Sequence, residues 1–188
     1  SATGAITLDA DGTATLDDVT STSGDITVTA GDAVLNDTVS SSGALTLKPT
    51  DVTSTLGVGD GTGDFDIGDT DITKLADGFS SITIGDASNG TGAVDVNSST
   101  FTDNVTIVGG SIAVEGLAAG TNAVTLTART GDITDGGGTT DVTGGTVTLN
   151  AEKGAIGGAT GNAALKLSAT TLVTDSTDGS NNGAQFLS

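Results

Sequence analysis

The sequence predicts an all-β fold, namely a parallel β-helix (β-solenoid) with about 20 residues per coil and three short strands per coil. Three observations support this prediction. The composition is poor in helix-forming residues, short groups of apolar residues alternate with polar ones, and similar segments recur about every 20 residues.

The composition disfavours a helical domain. Of the 24 acidic residues 22 are Asp, and the chain contains 36 Thr and 30 Gly. All three residue types are poor helix formers, whereas Glu, Lys, Gln and Met are scarce or absent. The chain is nevertheless 35% apolar with a mean hydropathy of +0.11, so we expect it to fold rather than to remain disordered.

The repeat is clearest in the first 50 residues, where three strand-like segments each start with a glycine. They are Gly4–Leu8, Gly24–Val28 and Gly43–Leu47, and second and third groups follow at Ala14–Leu16, Ala33–Leu35, Asp18–Thr20 and Thr38–Ser40. Each unit therefore holds three strands. The repeat length predicts about nine coils and, at ~4.8 Å between strands, a rod about 45 Å long.

Later segments show the same alternation of apolar and polar residues. They are Phe65–Ile67, Ser81–Ile84, Ala93–Val96, Val105–Val108, Ser111–Val114, Ala123–Thr127, Thr146–Leu149 and Ala164–Leu167. A period of two indicates strands with one buried face, and threonine suits the outward positions. An antiparallel β-sandwich also uses short strands, and several Asp-Gly and Asn-Gly pairs would suit its hairpins. The regular repeat and the scarcity of aromatic residues favour the solenoid.

We expect residues 1–188 to form a single β-solenoid with one irregularity near residues 71–80. Asp71–Gly78 has apolar residues three apart and ends in glycine, which predicts a single helical turn. This segment marks either a lateral excursion of the chain or a boundary between two stretches of solenoid.

The charge limits the partners of the chain. The formal net charge is −19, with only five Lys and Arg residues spread along the sequence. Phosphate binding requires clustered basic residues, so we expect no nucleic-acid partner. No apolar run reaches the ~20 residues that cross a bilayer, so we expect no membrane insertion. The chain lacks Cys and His, which removes thiol and imidazole chemistry.

Several strand segments resemble the repeats of large secreted bacterial adhesins of the filamentous-haemagglutinin type. The resemblance is carried by Asp77–Gly85, Gly92–Val96, Phe101–Ile107 and Gly109–Val114. It implies a right-handed parallel β-helix, an extracellular location on the bacterial surface or in secreted matrix, and a structural or adhesive role. It implies no catalytic residue.

The densest acidic segment predicts a calcium site. Its carboxylates belong to Asp60, Asp64, Asp66, Asp69 and Asp71. Calcium takes six to eight oxygen ligands, which aspartates and the carbonyls of glycine-rich turns can supply. The other interpretation is that aspartate favours turns, where its side chain accepts hydrogen bonds from nearby backbone amides. Calcium is the only cofactor that the sequence suggests.

Polysaccharide hydrolysis and ligand binding are the two alternatives to a structural role. Carboxylate pairs such as Asp64 with Asp66, or Asp69 with Asp71, could hydrolyse polysaccharides. The aromatic platforms that hold sugars are scarce, because the chain has only four aromatic residues, so we expect no enzyme. Binding of a glycan or a cell-surface protein along one face is the main alternative to the structural role.

Paired threonines also occur, as at Thr27/Thr29 and Thr125/Thr127, and an ice-binding solenoid would use such pairs at one position of every coil. Because their spacings do not keep one coil length, we interpret them as ordinary exposed strand residues.

The two ends of the predicted solenoid are the most informative for function. The first strand starts near Ala5, and the last segment, 181–188, does not read as an amphipathic cap. Uncapped ends expose an unpaired strand and an open core. We therefore expect either end-to-end self-association or coverage by flanking repeats of a longer chain. The predicted function is a non-catalytic rod, stalk or filament.

Overall fold

The computed structural model describes residues 2–158, 163–176 and 183–188, in which the chain forms short strands and one helical turn. In chain order these are β1 (Ile6–Asp9), β2 (Thr13–Leu16), β3 (Val19–Thr20), β4 (Ile26–Ala30), β5 (Asp32–Leu35), β6 (Val39–Ser40), β7 (Ala44–Pro49), β8 (Leu56–Gly59), β9 (Phe65–Gly68), α1 (Asp69–Ile72), β10 (Ser81–Ile84), β11 (Val94–Asn97), β12 (Val105–Gly109), β13 (Ile112–Glu115), β14 (Leu117–Ala118), β15 (Ala123–Ala128), β16 (Ile133–Asp135), β17 (Val142–Ala151) and β18 (Leu167–Asp175).

The strands stack in parallel as a β-solenoid of about eight coils, about 21 residues apart. The first sheet contains nine strands. Eight of them, one from each coil, follow the order β1, β4, β7, β10, β12, β15, β17 and β18, and the ninth, β14, pairs with the start of β17. Every strand ladder of the described residues is parallel, which confirms the solenoid and rules out the sandwich. The expected nine coils are one too many. Eight strands at ~4.8 Å spacing span about 34 Å.

Two rows of residues, all apolar except Thr174, form the core under the first sheet. The first core row is Ile6, Ile26, Leu45, Ile82, Val105, Val124, Val147 and Leu172, and the second core row is Leu8, Val28, Leu47, Ile84, Ile107, Leu126, Leu149 and Thr174. The inner members of both rows are fully buried, whereas those of the first and last coils are not. The two rows arise because side chains alternate along each strand, so that every second one points inward.

The second sheet contains one strand more than the coils require. Its order is β9, β8, β11, β13 and β16, so β8 lies between the strands that coils three and four contribute. In the first sheet the corresponding strands, β7 and β10, pair directly. The chain therefore makes an excursion at residues 50–64 that inserts β8, earlier than the predicted irregularity near residues 71–80.

The helical turn also differs from its prediction. α1 spans Asp69–Ile72 and ends well before Gly78. Its start is fixed by the Asp71 side chain, whose Oδ2 accepts a hydrogen bond from the Gly68 N–H at 3.1 Å. The last predicted strand is displaced as well, because Leu165 forms only an isolated bridge and β18 begins at Leu167.

A threonine row runs along the outer surface of the first sheet. Its members are Thr7, Thr27, Thr46, Thr83, Thr106, Thr125 and Thr148. Loops of different length absorb the irregular sequence spacing, so single threonines align in this row, but the Thr-x-Thr pair is not repeated in every coil, as expected. The neighbouring outer positions are mixed and include Asp9, Lys48 and Asn150.

Phe65, Phe79 and Phe101 fill the interior and are all buried. Phe186 is half-buried in the last coil. Among the described residues, no helix has the length and apolar character needed to cross a membrane. Asn181 and Asn182, which belong to the predicted uncapped C-terminal segment, lie outside the described residues.

Candidate functional site

The predicted calcium residues do not converge on one point. Asp60, Asp64 and Asp69 are exposed, whereas Asp66 and Asp71 are partly buried. Asp64 pairs with the neighbouring strand, since its Oδ2 accepts a hydrogen bond from the Thr55 hydroxyl at 2.9 Å. Asp66 and Asp71 lie near each other, since the charge of Asp71 acts on Asp66, and among the described residues no third carboxylate joins them in a group that could hold a metal ion.

Asp66 is the centre of a small acidic cluster that sequence analysis did not predict in full. Its backbone N–H donates to Asp32 Oδ1 at 3.0 Å, and Asp66 Oδ1 is buried without a hydrogen-bond partner. Burial raises the pKa of Asp66, and the nearby charges of Asp32 and Asp71 raise it further. Asp32 belongs to β5 of the preceding coil, so only the three-dimensional stacking brings it here.

Asp71 has a structural role in this cluster. Its Oδ1 accepts a hydrogen bond from the Leu35 N–H at 2.6 Å, and its Oδ2 caps α1 through Gly68. Both oxygens are thus bonded to backbone amides of two successive coils. This is the role that the turn interpretation gives to aspartate.

Calcium binding stays a prediction. In the part of the chain that the structure describes, no group of three or more acidic side chains is placed to hold a metal ion. Binding would require Asp66 and Asp71 to approach each other and recruit backbone carbonyls. Calcium binding is tested by measuring the melting temperature in calcium, in magnesium and in chelator. A calcium-specific rise of the melting temperature that disappears in Asp66→Asn supports the site, and an equal response of both proteins removes it.

Replacement of Asp66 by asparagine is expected to stabilise the protein near neutral pH. The raised pKa means that folding favours the neutral carboxyl, so this contribution to stability is present at low pH and lost as the pH rises through the folded-state pKa. We expect Asp66→Asn to raise the melting temperature at pH 7 by about 2–4 °C and to have little effect near pH 4. The exposed control Asp60→Asn should change neither value.

Several other polar side chains fasten one coil to the next. Asp25 Oδ1 accepts a hydrogen bond from the Ala44 N–H at 2.8 Å, Asn104 Oδ1 from the Ala123 N–H at 2.9 Å, and Asp132 Oδ1 from the Ala155 N–H at 2.7 Å. Each pair is 19 to 23 residues apart, which is about one coil. These side chains therefore stabilise the stacking of the coils.

A lysine–carboxyl cluster, formed by Asp135, Asp141 and Lys166, lies between coils six and seven. Lys166 Nζ is 2.5 Å from Asp135 Oδ2 and 3.9 Å from Asp141 Oδ2. The Asp141 side chain is 0% exposed and that of Asp135 6%, whereas Lys166 retains 24% exposure. Asp141 Oδ2 also accepts a hydrogen bond from the Lys166 backbone N–H at 2.8 Å, while Asp141 Oδ1 is buried without a partner.

The two carboxyls of this cluster differ in their affinity for protons. Burial raises the pKa of Asp141, and the charge of Asp135 adds to that effect. Burial also acts on Asp135, but hydrogen bonds from Lys166 and from the Gly137 N–H outweigh it and lower the pKa of Asp135. Of the two carboxyls, Asp135 therefore favours the ionised form and Asp141 the neutral form.

The lysine–carboxyl cluster was not predicted from the sequence, although one signal for it existed. Val142 pairs with Leu167, so Asp141 and Lys166 occupy equivalent positions in successive coils. Opposite charges at equivalent positions predict a contact once the register is known. Asp135 lies at the preceding corner of the coil, and only the folded path brings it to the same amine.

Together, the stacked parallel strands, the closed apolar core and the acidic surface define a β-solenoid repeat protein. Comparison with protein-family models, with curated proteins and with solved structures finds no match.

Proposed function

We propose that this protein is a non-catalytic, extracellular structural rod of a bacterial surface or its secreted matrix, and that its coils continue across both ends of the solenoid. A second copy of the chain, stacked end to end, is the partner we favour. The observation that carries this proposal is that the core rows run through all coils and become exposed only at the two ends.

The first coil leaves its inward-facing residues incompletely covered. Ile6, Leu8 and Val19 pack on the core but stay partly accessible, while their equivalents in the second coil are fully buried. In the described residues, β1 pairs with β4 on one side only. This end therefore offers apolar side chains together with unpaired backbone groups, which is what an added strand requires.

The last coil offers the complementary surface. Leu172 belongs to the first core row, yet it is 43% exposed. It lines an apolar cavity of about 260 Å³ together with Leu167 and Leu187. Within the described residues, β18 pairs with β17 alone. If the register continued across the junction, Ile6 of a second copy would pair with Leu172 from one side, as Val147 of the same chain does from the other side.

One charge pair opposes this stacking. Asp9 and Asp175 occupy the same outer position of the first and last strands, so continued register places them opposite each other across the junction. Like charges at directly opposite positions destabilise strand pairing. End-to-end association should therefore strengthen when this repulsion is screened by salt or neutralised by a divalent cation.

Charge reversal at the junction tests the proposal. Asp175→Lys is expected to strengthen association about tenfold, because repulsion between two carboxylates becomes attraction between an ammonium and a carboxylate. Sedimentation velocity gives the association constant, and negative-stain electron microscopy in calcium and in chelator shows whether the assemblies are linear.

Two controls separate the junction from a general charge effect. Asp77→Lys makes the same charge change at an exposed position on the side of the rod and should leave association near the wild-type value. The double variant Asp9→Lys with Asp175→Lys restores repulsion and should cancel the gain. Equal gains in the association constant for Asp77→Lys and Asp175→Lys would argue against end-to-end stacking, and so would compact monomers under every condition. In either case flanking repeats of a longer chain would be left as the cover for the two ends.

A groove on the outer surface of the second sheet supports the alternative function, binding of a glycan or a cell-surface protein. The groove has a volume of about 530 Å³ and is lined by small side chains such as Ala113, by Thr134, and by the carboxylates of Asp95 and Asp132. Hydroxyl and carboxylate groups can bond sugar hydroxyls. Screening on a glycan array, with Asp95→Ala as the matched loss-of-binding variant, distinguishes this function from the rod.

A further inference from the structure

We propose that the Lys166 amine forms a covalent amide bond with the Asp135 carboxyl group, and that Asp141 transfers the protons that this reaction requires. The bond would link coil six to coil seven within one chain. It would be a self-modification of the folded protein and would require no other enzyme.

The reacting atoms are already in contact. Lys166 Nζ lies 2.5 Å from Asp135 Oδ2. Because a carbon–oxygen bond of this kind is about 1.2 Å long, the Asp135 carboxyl carbon lies within about 3.7 Å of the amine nitrogen. Reacting atoms held at about 3–3.5 Å approach the geometry from which reaction proceeds. The fold therefore brings the nucleophile and its target together without a substrate-binding step.

Burial favours the amide product. Asp135 and Asp141 are almost inaccessible to water, with side-chain exposures of 6% and 0%. Condensation of an amine with a carboxyl group is unfavourable in dilute solution, but groups fixed by a protein react with effective concentrations of about 10⁵ M or more. The same burial hinders the return of water that would hydrolyse the amide.

The atoms and protons balance with the three side chains alone. The ammonium group of Lys166 gives a proton to Asp135 Oδ2, its hydrogen-bond partner, and its nitrogen then attacks the Asp135 carboxyl carbon, so that a C–N bond forms. The proton of Asp141 passes to the departing oxygen of Asp135, the C–O bond breaks and one water molecule leaves. Asp141 recovers a proton from the nitrogen, so it acts as acid and then as base and is unchanged at the end.

Asp141 is suited to this role by its position. Its Oδ2 lies 3.9 Å from the Lys166 amine, which also contacts Asp135 Oδ2. Burial raises the pKa of Asp141, which favours the protonated form that a general acid requires. Its Oδ1, which has no other partner, is the atom left to carry that proton.

The charges around the amine set the pH dependence of the reaction. Asp135, Asp141 and Glu115 all act on Lys166, and the hydrogen bond to Asp135 is the main reason why the pKa of the Lys166 amine is raised. The amine must lose a proton before it attacks. We therefore expect the rate of amide formation to rise with pH and to fall again once Asp141 loses its own proton.

The test is the intact mass of the purified protein together with its proteolytic fragments. The wild-type chain should be lighter than its sequence mass by one water molecule, and a branched peptide should join Lys166 to Asp135. Lys166→Arg keeps the positive charge but cannot form this amide, so it should show the full sequence mass. Asp141→Asn should reduce the cross-linked fraction at least tenfold, because asparagine can still accept the hydrogen bond from the Lys166 backbone N–H but cannot act as an acid.

Two controls remove competing explanations. Asp135 precedes Gly136, and an Asp-Gly pair can also lose water by closing a ring with its own backbone. Loss of water by ring closure would persist in Lys166→Arg, whereas loss of water by amide formation would not. Asp132→Asn alters another inter-coil carboxylate of coil six and should leave the cross-link intact. A wild-type chain of full sequence mass after incubation across neutral and alkaline pH would overturn the proposal, and undiminished cross-linking in Asp141→Asn would overturn the role of Asp141.

Discussion

Replacement of Phe65 by alanine is expected to cost about 3–5 kcal/mol of unfolding free energy, the range found when a fully buried aromatic side chain is removed. Phe65 lies on β9, is 0% exposed and is the largest of the fully buried side chains. Its strand separates β5 from the inserted strand β8, so the cavity would open where the solenoid departs from its regular stacking. Poor collapse around such a cavity raises the cost.

The measurement is urea unfolding followed by far-UV circular dichroism, because the chain contains no Trp or Tyr for fluorescence. Phe186→Ala is the matched control, since Phe186 is only half-buried in the last coil. We expect the control to lose about 1 kcal/mol or less. Equal losses for the two variants would contradict the assignment of Phe65 to the most constrained part of the core.

A methyl group at position 24 is expected to cost about 2–3 kcal/mol, which is the upper range for overpacking. Gly24 stacks between Gly4 and Gly43 at the corner that precedes the first sheet. A Cβ atom on Gly24 would overlap the backbone of Gly4 and the Ala5 nitrogen, and backbone atoms cannot rotate away as side chains do. The coils would have to separate locally, which lengthens the hydrogen bonds between β1 and β4.

The control for this prediction is built into the repeat. Gly4 occupies the same position one coil earlier, and a Cβ atom there would have no neighbour within 4 Å. Gly4→Ala should therefore change the melting temperature by no more than the small amount typical of an exposed substitution. Similar destabilisation by both changes would mean that backbone conformation, rather than the close approach of two coils, requires glycine at this corner.

The regular coils were predictable because their chemistry repeats. The alternation in Ile26–Ala30 and its equivalents identifies both the strands and the side that is buried. The inserted strand β8 was not recognised, because its sequence, Leu56-Gly57-Val58-Gly59, has glycine where other strands carry threonine. Gly57 is required there, since a Cβ atom would contact Asp66 Oδ1 at 2.7 Å and the Gly61 carbonyl oxygen at 2.9 Å.

The candidate sites were less predictable than the fold, for the same physical reason. Local sequence showed a dense group of aspartates, but it could not show that the oxygens of Asp71 are engaged by Leu35 and Gly68. Nor could it show that Lys166 meets Asp135, which is 31 residues away along the chain. In a solenoid, contacts between coils depend on the length of every intervening loop, and loop length is not encoded in strand periodicity.

The inserted strand has a geometric consequence for the whole rod. Between coils three and four the second sheet is longer than the first by one strand spacing of ~4.8 Å. Facing sheets lie ~10 Å apart, and the ratio of these two lengths corresponds to an angle of roughly 25°. We therefore expect the axis of the solenoid to turn by roughly 25° at this point. A rod that bends once per molecule cannot build a straight fibre when identical copies are joined head to tail. Its assemblies would wind into an open helix whose curvature is set by β8, and deletion of residues 50–64 would straighten them.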